Sequence, residues 1–301
     1  MDAQNNTALV TGGRGFIGRA VVKLLQRSGC GVVSLDATPG TSSSASRHEI
    51  ECDLTNVRQL QRVFEIEAIS GIIHLAAILP TAAQREPARA TGVNVQGSLH
   101  LLEMARGFGV RRFVFGSSLS VYGTCAEDQV VTEACRAAPE DLYGVAKLYV
   151  EQLGEAYRQY GLDFVSLRIG RVVGSGARSA SSAWRSQIFE LLGSKDAAEI
   201  VVPYVGSERI LLVHVDDVAR MLVGLMQAER PAHTVYNAAC ESVVVADLKR
   251  EVEGLNSNIR VELGEAYACG NPRLLDSSRF RQEFGFQMLP IFEQLKPAAE
   301  K

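Results

Sequence analysis

The 301 residues carry 31 Lys and Arg against 34 Asp and Glu, a net charge of −3, and 47% of them are hydrophobic. That content supports one large core or a core with a smaller lobe, and the lack of a dense basic run excludes a binder of nucleic-acid backbones. No apolar run is long enough to span a membrane, the start MDAQNNTALVTGG does not read as a secretory signal, and cysteines 30, 52, 125, 135, 240 and 269 fall singly. A cytoplasmic protein with reduced thiols and no metal is expected.

In chain order, β-branched or apolar runs at residues 8–11, 32–36, 72–75, 113–115 and 164–167 predict strands. Helical spacing at 16–28, 57–67, 91–108 and 142–160 supplies the crossovers that parallel strands require. The rhythm is that of an α/β fold, a Rossmann-type doubly wound parallel sheet over residues 1–170. The Gly/Ser-rich stretch VVGSGARSASSA then breaks it, and residues 171–301 are expected to form a smaller C-terminal substrate lobe whose chain crosses back to the first domain. The polar segment TPGTSSSASR after Asp36 reads as a surface loop, and no internal repeat is visible.

The first predicted strand runs straight into TGGRGFIG, placing Gly12, Gly15 and Gly18 at a strand-to-helix turn. One glycine makes the turn, one admits a pyrophosphate to the backbone, and one lets helix and strand pack; Phe16 and Ile17 open the helix whose free N–H groups face the phosphates. Asp36, ending the second strand, is placed to accept from a ribose hydroxyl and to repel a ribose phosphate, which favours NAD over NADP. Arg14, inside the glycine loop, either pairs with such a phosphate or is a solvated surface arginine; the second is the expectation.

In DLYGVAKLYVEQL, Tyr143 and Lys147 stand four residues apart and leave one helix face. An adjacent ammonium together with a nicotinamide cation favours a phenolate, and lowering tyrosine from about 10 to near 7 takes roughly 4 kcal/mol. The preceding strand carries Ser117, Ser118 and Ser120 at its carboxyl end, where ligands bind in such sheets. A serine hydroxyl there can hydrogen-bond a reacting alcohol while Tyr143 takes its proton. Alone, the pair equally suits a packed tyrosine beside a solvated lysine, and the serines a polar turn.

TGGRGFIG, Asp36, CDL at 52–54, HLAA at 74–77, Asn94, GSSLSVYG and YGVAK stand in the order and rough spacing of the extended short-chain dehydrogenase/reductase family, also called the NAD-dependent epimerase/dehydratase family. LRIGRVVG at 167–174, VHVDDVA at 213–219 and LLDSSRFRQEFGF at 274–286 look like its later landmarks, so the resemblance covers nearly the whole chain. It implies that Asp53 and Leu54 flank the adenine, that Leu75, Ala76 and Ala77 line the cofactor trough, and that Tyr143 and Lys147 also meet the nicotinamide ribose. Ser118 is then the catalytic serine, with Ser117 its neighbour as second candidate; Asn94 lies in a central helix near the site or satisfies backbone groups. The resemblance also implies a homodimer packed through helices 91–108 and 142–160.

Members of that family act on nucleotide sugars, sugar acids and amino acids, so substrate choice rests on the second lobe. Arg171 stands where nucleotide-sugar enzymes commonly have asparagine, Arg209 stands one residue too far before His214 for the usual diphosphate-binding arginine, and YACGNPR lacks the arginine often found before a late Gly-Asp. SASSAWRSQIFELL looks more like enzymes that oxidise small sugar acids. Arg171, Arg178 and Arg185 are therefore candidates to hold a carboxylate, with Arg209 as a further substrate contact, against the bland reading of solvated loop arginines. Trp184 covers the pocket or fills the lobe's core. A dehydratase would carry an acidic pair where Leu119 and Ser120 stand. The leading expectation is NAD-dependent hydride transfer at a secondary alcohol of a sugar-like small molecule, as dehydrogenase or epimerase. The alternatives are a nucleoside-diphosphate-sugar epimerase with tightly bound NAD and a non-enzymatic NAD-binding regulator.

Overall fold

The computed structural model describes residues 7–38, 49–177 and 182–299. Arg178 and most of the TPGTSSSASR segment lie outside the described residues. The first half runs β1 (Thr7–Thr11), α1 (Phe16–Arg27), β2 (Gly31–Asp36), β3 (Glu49–Glu51), α2 (Val57–Ile66), β4 (Gly71–His74), α3 (Pro80–Arg85), α4 (Pro87–Thr91), a π-helical stretch Gly92–Gly97, α5 (Ser98–Gly107), β5 (Arg112–Ser118), β6 (Val130–Val131), α6 (Leu142–Tyr157) and β7 (Asp163–Ile169). The second half runs β8 (Arg171–Val173), α7 (Trp184–Glu190), β9 (Ala198–Tyr204), β10 (Arg209–His214), α8 (Val215–Gln227), β11 (Val235–Asn237), β12 (Glu241–Val244), α9 (Val245–Leu255), β13 (Ile259–Ala266), β14 (Leu274–Leu275), α10 (Ser278–Phe284) and α11 (Ile291–Ala299).

Seven parallel strands form the main sheet in the order β11-β7-β5-β4-β1-β2-β3, the Rossmann-type arrangement. Its strands are buried on both faces, so successive apolar residues feed two different cores. Leu9, Ile72 and Phe113 pack toward α2, α5 and α6, whereas Val10, Ile73 and Val114 pack toward α1 and α8. The chain winds outward from β1 to β3, then returns to β4 and winds the other way. Adjacent β1 and β4 therefore open a crevice at their carboxyl ends.

Smaller sheets, β12-β10-β8 and β13-β9, enclose a third core around Trp184, Ile188, Ile210 and Val261. The second half also contributes to the main sheet: β11 pairs with β7 in register Tyr236↔Leu167, and α8 packs on α1. A strand of three residues has too little period to announce itself, which is why β11 and β3 escaped the reading of the sequence. The single helix expected at 91–108 is three pieces, with a π-helical stretch where Asn94 turns toward residue 78. The strand expected at 113–115 runs on to Ser118, and the helix expected at 142–160 tightens to a 3₁₀ turn after Tyr157.

Candidate active site

The glycine loop lies at the mouth of the crevice. Gly12 sits at φ +67°, and a Cβ there would stand 2.9 Å from the Ala76 nitrogen. A Cβ on Gly18 would collide with the Gly12 carbonyl. Hydrogen is the side chain that fits at both places. Helix α1 begins at Gly15 without a side-chain cap or an acidic residue in its first turn, leaving N–H groups for an anion. Asp36 accepts from the Arg14 backbone N–H at 3.2 Å and from the Thr38 N–H and hydroxyl at 3.1 and 2.8 Å. Arg14 is not the solvated arginine expected: its guanidinium donates to the Thr38 carbonyl, lies 3.5 Å from the Glu49 carboxylate, and its side chain is only 20% exposed.

The floor is the loop after β4. Thr11 Oγ1 accepts from the Leu75 and Ala76 N–H groups at 3.2 Å each and lies 2.6 Å from Nδ1 of His74. With both its lone pairs so engaged, the Thr11 hydroxyl donates to Nδ1, the His74 Nε2–H donates to Ser98 at 2.8 Å, and Ser98 donates to the Asn94 carbonyl at 2.7 Å. This neutral wire is buried throughout, and burial, then the Lys147 charge, draws His74 down to about 3. Asn94 brackets Ile78, accepting from its N–H at 2.7 Å and donating to its carbonyl at 2.9 Å, so it satisfies backbone groups. Asp53 is tied into its own turn by Thr55, and the Leu54 carbonyl lies 2.9 Å from Nδ1 of His100.

Across the crevice, Asp141 caps α6 by accepting from Gly144 at 2.6 Å, which fixes the turn carrying Tyr143. Lys147 donates to the Gly116 carbonyl at 2.6 Å, 4.6 Å above the Phe115 ring and 5.5 Å from that of Tyr143. Ser117 and Ser118 leave opposite faces of β5. Ser118 accepts from the Ser120 N–H at 3.1 Å and donates to its hydroxyl at 3.1 Å, while Ser117 turns to α6 and donates to Glu151 at 2.5 Å. The chain's own groups do not lower the tyrosine as expected: burial, then Asp141, pushes its phenol well up. Burial brings Lys147 down to about 7, with Glu151 opposing.

Residues 8–261 match the family model described as NAD dependent epimerase/dehydratase family. The chain belongs to that family. It is similar to mitochondrial L-threonine 3-dehydrogenase of Bos taurus, 25% identical over 299 residues that cover 95% of this chain and 79% of the relative. It is also similar to uronate dehydrogenase of Pseudomonas putida, 30% identical over 55% of this chain and 60% of that one. Its fold matches the Thermus thermophilus UDP-glucose 4-epimerase in complex with NAD at a TM-score of 0.82 and 23% identity, covering 98% of each chain.

As a member of this family the protein is an NAD-dependent enzyme of the extended short-chain dehydrogenase type. Its crevice suits that cofactor: a glycine turn packed too closely for a Cβ at Gly12 or Gly18, an uncapped helix start, and a carboxylate at the end of β2.

In the second half of the chain, two arginines lie on neighbouring rings. Arg171 lies two residues past Ile169, which is in register with Ser118, so at most about 7 Å of chain separates it from that register. Arg171 stacks on Tyr204 at 5.6 Å and Arg185, in the first turn of α7, on Trp184 at 5.8 Å. Burial, then the charge of Arg171, draws Arg185 down to about 10, and the rings on which the two lie, Tyr204 and Trp184, meet edge to face with centroids 6.4 Å apart. Neither has a carboxylate partner among the described residues, and Nε of Arg185 is buried without a hydrogen bond. Arg209 stands apart, exposed at the start of β10, three residues or about 10 Å from Leu212, the strand partner of Arg171. Trp184 is buried in the lobe's core against Tyr204.

Sequence reasoning named Ser117 but missed Glu151 and Arg168, the buried pair it joins, in which Arg168 grips Glu151 at 2.7 and 3.0 Å. A signal was present: Glu151 continues the Tyr143, Lys147 row at four-residue spacing, so it shares their helix face.

Proposed function

We propose that the protein oxidises a secondary alcohol of a small, sugar-like substrate bearing a carboxylate, with NAD as acceptor. The observation that carries this reading is the pair Arg171 and Arg185, seated on the neighbouring Tyr204 and Trp184 rings with no carboxylate partner among the described residues; their planar forks suit a carboxylate, and Arg171 lies near the Ser118 end of β5. Gly12, Gly15, Phe16, Ile17 and Gly18 would hold the pyrophosphate, Asp36 the adenosine ribose, Asp53 and Leu54 the adenine, and Leu75, Ala76 and Ala77 the trough. When bound, NAD supplies the hydride acceptor and a positive ring beside the tyrosine. Ser118 orients the alcohol through its hydroxyl, the charge of Lys147 favours the phenolate of Tyr143, and that phenolate takes the alcohol proton and becomes a neutral phenol. The likeness to threonine dehydrogenase over most of the chain supports a β-hydroxy amino acid as a second candidate, since its carboxylate suits the same clamp. Leu142, Val145 and Tyr149, exposed at i, i+3 and i+7 on α6, support a homodimer packed on that face.

The test mixes the protein and NAD with sugar acids, free sugars, β-hydroxy amino acids and nucleotide sugars, following reduced nicotinamide and product stereochemistry. NADH formed from a carboxylated substrate, lost in Tyr143→Phe and demanding far more substrate in Arg185→Met, is the expected result. Inversion of a nucleotide sugar without NADH accumulation would overturn it in favour of an epimerase.

A further inference from the structure

Tyr143, Lys147 and Glu151 form one row on α6, a helical turn between each, Tyr143 half-buried and the other two buried. The proposed reaction uses the first two and leaves the third unexplained. Glu151 is only 5% exposed, and both its oxygens are held: one accepts from the Ser117 hydroxyl at 2.5 Å and from Nε of Arg168 at 3.0 Å, the other from Arg168 at 2.7 Å. Arg168 projects from β7 over the Tyr122 ring at 4.7 Å, and Tyr122 donates to Asn237 at 2.7 Å. One helix and two adjacent strands thus clamp a single carboxylate away from water.

Burying an ion pair costs more than burying apolar side chains of the same volume, so packing alone gives no reason for it. Charge does. Lys147 has the Gly116 carbonyl as its hydrogen-bond partner and ring faces around it, and its ammonium is stripped of water. The titratable or charged groups around it are Tyr143 and Glu151 on α6, His74 on β4 and Arg168 on β7. His74 is neutral in its wire and burial keeps the proton on Tyr143, so Glu151, although paired with Arg168, is the group whose charge favours the ammonium.

We propose that Glu151 is a positioning residue for Lys147: clamped by Arg168 and Ser117, its carboxylate keeps the lysine an ammonium seated on the Gly116 carbonyl, beside Tyr143. The role rests on the reading of Lys147 as the partner of Tyr143. Glu151 touches neither substrate nor cofactor; it acts through the lysine.

The chain has six lysines, few enough for each 13Cε resonance to be followed by NMR in lysine-labelled protein, with Lys147→Met assigning the one of interest. In the wild type the Lys147 signal titrates near 7 and the surface lysines above 10. Glu151→Gln lowers the Lys147 midpoint by about one pH unit, a tenfold loss of ammonium at a given pH. Glu151→Asp, which keeps the charge, holds the midpoint within a few tenths even where thermal stability drops. Ser117→Ala removes a donor from the carboxylate and raises the midpoint, and it serves as the deciding variant if Glu151→Gln does not fold. An unmoved midpoint in folded Glu151→Gln, or no rise in Ser117→Ala, overturns the proposal and leaves Glu151 a structural tie. No substrate enters the titration, so a failed substrate search leaves it intact, and an unmoved midpoint removes the role of Glu151 without touching the proposed reaction.

Discussion

Replacing Lys147 by methionine is expected to stabilise the protein while abolishing turnover. The lysine is 4% exposed, and burial lowers it from its ordinary 10.5 to about 7. A folded value below the unfolded one means that the unfolded chain takes up the proton first. Stability is therefore lost as pH falls from about 10.5 to about 7, and the loss stays constant below. The fall corresponds to roughly 5 kcal/mol at pH 6, and to only about 1.4 kcal/mol at pH 9.5. Methionine matches the length of the side chain without its charge, but it abandons the Gly116 carbonyl, a cost of about 1–3 kcal/mol at any pH. The net expectation is a gain of about 2–4 kcal/mol at pH 6 that shrinks by about 3 kcal/mol, to about zero or below, at pH 9.5. Urea unfolding of wild type and variant at the two pH values measures both numbers. A variant less stable than wild type at pH 6, or a difference that does not change with pH, would refute the reasoning that the site holds its lysine at a cost to the fold.

The buried wire through His74 predicts acid sensitivity of the same sign. Its folded value of about 3 lies below the ordinary 6.5, so stability is lost as pH falls from about 6.5 toward 3, by roughly 3 kcal/mol at pH 4.5. His74→Gln should lack that part of the slope in denaturant titrations; an equal slope sinks the assignment. Asp36→Ala is expected to weaken NAD about ten- to hundredfold, the worth of a hydrogen bond to a charged group, and to weaken NADP less because the repulsion disappears; calorimetry with both nucleotides checks it. Arg171→Met should make Arg185 easier to bury and raise melting temperature, while raising the KM for a carboxylated substrate at least tenfold. A lowered melting temperature would show that the two cations do not repel.

Much of the nucleotide side of the crevice was legible from the residues alone. The glycine turn, Asp36 after β2 and the Tyr143/Lys147 spacing are local patterns, set by backbone sterics and helix period over a few residues. Even so, the strand carrying the serines was read to end three residues too early, because β5 is buried on both faces and shows no alternation to mark its end. The sequence could not say that Arg14 lies on Thr38 and Glu49, nor that Ser117 turns away from Ser118 into a clamp with Glu151 and Arg168.

Local order along the chain determined the family, the parallel sheet and the residues that head its strands. Tertiary structure decided which of them meet: β11 closes a sheet begun more than two hundred residues earlier, and Arg171 and Arg185 converge from a strand and a helix. It also decided the charge states, since burial raises Tyr143 and lowers Lys147 against what their spacing suggests. The reason is physical. Spacing fixes which side chains share a face, but desolvation and long-range pairing depend on what folds over that face.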